Sequence, residues 1–190
     1  MKCILCENLS FKLICKTCQS TLLQPSFHKR EIEEGFYNYS FYALSDIEEL
    51  INSKYYFHGD RIFEILAKLS FEKFARNFDF KTKILAIPID DHVRHEFSHT
   101  AILAKNLKSN FIKPRYNSLK AQNIIKYAGK SSDFRKNNPR NFKVTNICNE
   151  LTVLCDDIIT TGATIKEAKK AIEEKENKVL FSLTLADAKL

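Results

Sequence analysis

The chain has 190 residues, 44% hydrophobic and 28% charged, with four glycines, four prolines and a net charge of +7. That composition excludes a disordered chain and a collagen-like or linker-like one, and the length suits one domain, or one domain with a small appendage. The most apolar uninterrupted stretch, residues 84–89, is far short of the ~20 residues that span a bilayer.

The first eighteen residues form a unit of their own, Cys3-x2-Cys6-x8-Cys15-x2-Cys18, followed by a connector with Pro25, His28, Lys29 and Arg30. Residues 35–42 alternate, with Tyr37, Tyr39 and Phe41 on one face, and predict a strand. Ser45-Asp46-Ile47-Glu48 is a capping-box pattern opening a short helix toward Lys54. A longer helix is expected over 60–77, where Ile62, Phe63, Leu66, Leu69 and Phe74 recur at three and four. Residues 84–89 read as a buried strand, and 97–108 resume helical spacing through Phe97, Ala101, Ala104 and Leu107. The stretch 113–143 is irregular, broken by Pro114, Gly129 and Pro139. After it come a strand over 151–155, a turn, a helix over 163–176 and a strand over 178–185. Strands alternating with helices at this spacing predict an α/β fold with a parallel sheet and right-handed crossovers.

Two Cys-x2-Cys pairs supply four thiolates, the tetrahedral set that structural zinc prefers. With Cys3, Cys6, Cys15 and Cys18 all ligating, no position stays open for catalysis. Cys3 and Cys6 leave no room before them for an apolar signal region, and Glu7, Asn8 and Lys12 interrupt a lipoprotein reading of Leu13-Ile14-Cys15. The expectation is a cytoplasmic protein with reduced thiols. Cys148 and Cys155 read as plain core residues. The expected division is a zinc-binding unit with its connector over 1–30 and the main domain over 31–190.

The most informative segment runs from Leu151 to Ile165. A strand delivers Asp156 and Asp157, and a loop with Thr160, Thr161, Gly162, Ala163 and Thr164 turns into a helix. Backbone N–H groups at a helix start, with threonine hydroxyls beside them, cradle a phosphate. Two carboxylates there make sense once the ligand carries a sugar: they accept hydrogen bonds from vicinal ribose hydroxyls and help hold a hydrated Mg²⁺. The segment describes a ribose 5-phosphate site.

This run resembles the phosphoribosyl pyrophosphate (PRPP) signature of type I phosphoribosyltransferases. Joined to the N-terminal Cys-x2-Cys pair, it resembles the ComF family of competence proteins. Lys54-Tyr55, Ile87-Pro88-Ile89, Gln122, and Arg135 and Asn138 with Phe142 fall where that family has like residues. The resemblance implies a type I phosphoribosyltransferase-like fold with a zinc-binding N-terminus, binding PRPP with magnesium. It implies a role in natural transformation, bringing single-stranded DNA into the cytoplasm beside competence machinery such as a DNA-uptake helicase or channel. The protein would then be cytoplasmic, peripheral to the inner membrane through its partners. It also makes Ile89, Asp90 and Asp91 candidates for the pyrophosphate loop. One departure is plain: His95-Glu96-Phe97-Ser98-His99 stands where the family reads Arg-Gly-Phe-Asn-Gln. A nucleotide-salvage phosphoribosyltransferase acting on a purine or pyrimidine base is the alternative, and a zinc-containing nucleic-acid binding module a third reading.

His92, His95 and His99 share a helical face beside Asp90 and Asp91, as a second metal site or as surface polar positions. Between Lys113 and Lys143 lie nine Lys or Arg and one acid, Asp133, so this stretch holds the whole basic excess. Tyr116, Tyr127, Phe134 and Phe142 are interleaved with its cations. Lys120, Lys126, Lys130, Arg135, Lys136 and Arg140, with Lys54, are candidates to track a single strand, whose bases would stack on the aromatics, or to close over a polyphosphate. A solvated basic loop is the third possibility.

Overall fold

The computed structural model describes residues 1–89, 97–123 and 139–190. Its first helix, α1 (Lys16–Thr21), is capped by a cysteine: Cys15 Sγ accepts the N–H of Cys18 at 3.4 Å. The chain then enters an antiparallel pair, β1 (His28–Glu33) and β2 (Phe36–Ala43). β1 starts in the expected connector and runs past its end at residue 30. It is an edge strand in which only Ile32 is buried, so it carries no apolar alternation to read. β2 is covered on both faces. Asn38 and Ser40 are buried with Phe36 and Tyr42, and Asn38 donates to Thr184 Oγ1 (2.9 Å) and accepts from Ser182 Oγ (2.8 Å) on the neighbouring strand.

Helix α2 (Leu44–Asn52) follows β2 without a loop, so Ser45 is already inside it. The expected capping box does not form; Ser45 Oγ donates instead to Asp46 Oδ1 at 3.1 Å. A 3-10 turn (Ser53–Tyr55) leads to α3 (Gly59–Leu69) and α4 (Phe71–Asn77). The single helix expected over 60–77 breaks at Ser70 (φ −115°, ψ −74°), whose Oγ donates to the Leu66 carbonyl at 2.7 Å. Such back-bonding bends helices. Then come β3 (Ile84–Pro88), α5 (His99–Asn106) capped by Ser98 Oγ on the Ala101 N–H, and β4 (Ile112–Pro114). β5 (Leu119–Ala121) and β6 (Phe142–Val144) form a two-stranded antiparallel sheet at the two ends of the basic stretch. β7 (Leu151–Ile159), α6 (Ala163–Glu173) and β8 (Lys178–Asp187) complete the chain.

The main sheet has the order β1-β2-β8-β7-β3-β4, and every neighbouring pair except β1 and β2 is parallel. The expected α/β class with a mostly parallel sheet is what the chain adopts. One face packs under α2 to α5, through Ile51, Phe63, Leu66, Phe71 and Leu103 against Val153, Cys155 and Leu183. Cys3, Ile14, Cys18 and Leu23 of the four-cysteine unit join that same core, and Tyr42 OH donates to the Leu23 carbonyl at 3.1 Å. The other face packs Ile165, Ala168 and Ile172 of α6, with Leu119 of β5, on Leu154, Ile159 and Val179. Each Val, Leu, Ile or Phe among them contributes about 1.5–3 kcal/mol when fully buried. Cys155 is buried as expected, but Cys148 is exposed, its Sγ 3.7 Å from Glu176 Oε2. It lies between the turn residues Asn146 and Asn149, both at positive φ, outside any strand. Among the described residues, no helix is long and apolar enough to cross a membrane.

Candidate functional site

From β3 the chain passes through α5 to β4 on one side, and from β7 through α6 to β8 on the other. Because β3 and β7 are neighbours, their connections leave the carboxyl ends in opposite directions, and a crevice opens between them where α/β proteins place ligands. The β3–β7 pairing ends at Pro88 and Cys155, with one last bond from the Ile89 N–H to the Cys155 carbonyl (2.8 Å). β7 was expected to stop at Cys155, yet it continues along β8 to Ile159. The acid pair therefore lies within a strand whose other edge has just been uncovered.

That edge explains the local bonding. The Asp157 N–H donates to Asp156 Oδ1 and the Ile158 N–H to Asp157 Oδ1, both at 2.9 Å, so each carboxylate satisfies the next residue's backbone. The two side chains meet different partners. Asp157 is buried on the face of α2 to α5. Its Oδ2 accepts from Lys54 Nζ at 2.6 Å and lies 3.6 Å from His99 Nε2. Lys54 comes from the 3-10 turn and His99 opens α5, its ring edge-on to Phe63. Asp156 is half-buried on the face of α6 and the β5–β6 pair, within the field of Arg140.

Burial alone would raise both carboxyls. For Asp157 the charges of Lys54 and His99 and the Lys54 hydrogen bond outweigh burial and hold it below the usual range. Asp156 goes the other way: burial and the Asp157 charge push it well up, only partly opposed by Arg140. The folded protein thus binds the Asp156 proton more tightly than the unfolded chain does. Stability from this group is full below about pH 4, the unfolded value, and is lost as pH rises through the folded one. Asp157 contributes in the opposite sense, its stability present above about pH 4 and lost as pH falls through its folded value. Asp156→Asn, which keeps an acceptor for the Asp157 N–H, is expected to raise the ligand-free melting temperature by about 3 °C at pH 8 and by nothing at pH 3.5. Thermal melts of both proteins at the two pH values check this.

Beyond the acids, Gly162 sits at φ +82° as the N-cap of α6, and Thr161 Oγ1 accepts the Ala163 N–H at 3.4 Å. A Cβ at Gly162 would meet Ile32 Cβ and Cγ2 at 3.4 Å, in a backbone conformation L side chains rarely adopt. The first turn of α6 carries no acidic side chain, so nothing on the helix opposes the positive end of its dipole. The loop is anchored from an unexpected side. Arg30 of β1 donates from Nη1 to Asp187 Oδ1 and from Nη2 to the Thr160 carbonyl, both at 2.8 Å. No sequence signal marks Arg30, because its partners are 157 and 130 residues away.

Of the remaining candidates, Ile89 is buried with its N–H taken by Cys155. Lys120 lies half-buried on β5, and the Arg140 carbonyl accepts the N–H groups of Gln122 and Asn123. The Asn141 N–H donates to Glu167 Oε1 (2.8 Å), tying the β5–β6 pair to α6. Asp90, Asp91, His92, His95, Lys126, Lys130, Arg135 and Lys136 lie outside the described residues. The structure thus gathers Asp156, Asp157, Lys54, His99 and Arg140 around the acid pair at the carboxyl end of β7.

The four cysteines form a second centre. Their sulfurs all lie within 4.8 Å of one another, with Cys3–Cys18 at 3.9 Å and Cys6–Cys15 at 3.8 Å. Tetrahedral zinc with Zn–S bonds of about 2.3 Å sets sulfurs ~3.8 Å apart. The Cys15 N–H points at Cys3 Sγ (3.3 Å), and that bond is the main reason the Cys3 thiol is lowered to about 6. Donor set and spacing fit a metal such as zinc.

No protein family and no curated protein matches the chain. Among solved structures it is similar to a UMP synthase from Leishmania donovani, at 17% identity and TM-score 0.42, over 73% of this chain and 24% of that one. It is also similar to a hypoxanthine phosphoribosyltransferase from Staphylococcus aureus, at 13% identity and TM-score 0.40, over 66% of this chain and 62% of that one. The chain spans about a quarter of the first protein's length and under two thirds of the second's.

Proposed function

We propose that this protein binds PRPP with Mg²⁺ in the crevice at the ends of β3 and β7, as a phosphoribosyltransferase-type protein. The observation that carries the reading is the joining, on one strand–loop–helix segment, of the Asp156–Asp157 pair to the start of α6 at Gly162. In this reading the loop from Thr160 to Thr164 takes the 5-phosphate, and the ribose hydroxyls lie at the carboxyl end of β7. The metal, when bound, neutralises the pyrophosphate charge. Arg140 brings one cation of the basic stretch into the field of Asp156. Zinc on Cys3, Cys6, Cys15 and Cys18 is structural.

The resemblance of the signature run and the cysteine pair to the ComF family supports a place in natural transformation. There the protein would act in the cytoplasm, beside the machinery that draws in single-stranded DNA, and the Lys113 to Lys143 stretch would meet that strand. The test is calorimetric titration of the zinc-loaded protein with PRPP, with and without Mg²⁺. Saturable, Mg²⁺-dependent binding that Asp156→Asn weakens by about tenfold or more is the expected result, since hydrogen bonds to charged groups are worth about 1.5–3 kcal/mol. A well-folded wild type that binds no PRPP overturns the reading.

A further inference from the structure

The two acids of the signature are not equivalent. A carboxylate offers about four lone-pair sites. Asp157 gives Oδ1 to the Ile158 N–H and Oδ2 to Lys54, with His99 at 3.6 Å from the same oxygen, and its residue is only 7% exposed. Little of it remains for a sugar. Asp156 has one oxygen on the Asp157 N–H and is half-buried rather than buried. Lys54, in turn, has three donors, of which Asp157 takes one. It is anchored at the crevice by the pairing itself: a lysine 16% exposed would otherwise sit in a place costly for an unpaired ammonium.

We infer that Asp157 is a positioning residue for Lys54 rather than a ligand of the ribose, that Lys54 meets the phosphate or pyrophosphate of the bound molecule, and that Asp156 alone serves the sugar. This rests on the PRPP reading. It differs from a plain reading of the signature, in which both acids hold the ribose, and it gives a function to a lysine 103 residues away in the chain.

The probes are PRPP and inorganic pyrophosphate, titrated calorimetrically with Mg²⁺ into the zinc-loaded wild type, Asp156→Asn and Asp157→Asn. Acting through a cation that meets phosphate, Asp157→Asn weakens both probes by the same factor, about tenfold. Asp156→Asn weakens PRPP and leaves pyrophosphate within about twofold. If Asp157→Asn weakens PRPP while pyrophosphate is unchanged, Asp157 is a sugar ligand and the inference is wrong, with the PRPP reading intact. If the wild type binds no PRPP, both fall. Should Asp157→Asn fail to fold because Lys54 is left unpaired, the charge-neutral Lys54→Met, Asp157→Asn variant replaces it. That variant also loses both probes equally under the inference, and loses PRPP more steeply if Asp157 touches the ribose.

Discussion

With the proposed zinc on the four-cysteine cluster, its removal is expected to unfold residues 1–23 and to lower the melting temperature of the whole chain by more than about 10 °C. Little else can hold that unit. Its regular structure is one six-residue helix and an isolated bridge between Lys2 and Leu9. A segment so short buries too little surface to fold alone, so metal-binding free energy, about 10 kcal/mol or more for such sites, becomes folding free energy. The unit is also part of the main core, because Cys3, Ile14, Cys18 and Leu23 pack with Phe41 and Tyr42. Losing it uncovers the β2 side chains beneath and frees Tyr42 OH from the Leu23 carbonyl. The measurement is a melt of metal-loaded protein against protein treated with a strong chelator, with metal content assayed and Cys18→Ser as the genetic counterpart. Equal melting temperatures would show that packing alone holds the unit.

Features set by local chemistry were legible in the sequence. The cysteine spacing encodes a cluster because both sulfurs of each Cys-x2-Cys pair can reach one point, and the structure brings all four within 4.8 Å of one another. The acid–threonine–glycine run encodes a strand, a tight turn and a helix start, and each is present. Features set by tertiary contact were not. β1 has one buried residue and exists because β2 offers it an edge. β7 outruns its expected end because β8 keeps pairing with it after β3 has stopped, so apolar content no longer marks the strand where the acids begin. The helix over 60–77 has unbroken apolar spacing, yet one serine hydroxyl on a carbonyl bends it. The contacts that shape the site, Lys54 on Asp157 and Arg30 on Thr160, join residues more than a hundred positions apart. Lys54 was singled out as a cation for phosphate, but its carboxylate partner is visible only in the fold.

The second large effect is expected at Gly59, the first residue of α3. By helix propensity alone Gly59→Ala would stabilise the chain by about 1 kcal/mol. The packing demands the opposite sign. A Cβ at this position would overlap the Ser53 carbonyl oxygen, come to 2.8 Å from its carbon and 3.0 Å from Phe97 Cζ. The oxygen and carbon are backbone and cannot swing aside as a flexible side chain would. Ser53 immediately precedes Lys54 in the 3-10 turn, so relieving the overlap moves the turn that carries the lysine. The Lys54–Asp157 pair at 2.6 Å would open, adding the cost of a broken buried ion pair, about 3–5 kcal/mol, to an overpacking strain of about 1–3 kcal/mol. Gly59→Ala should therefore lose several kcal/mol in denaturant titrations and, where still folded, bind pyrophosphate as weakly as Asp157→Asn. A variant that melts at or above the wild-type temperature would mean that α3 does not approach the turn closely enough to hold Lys54 in place.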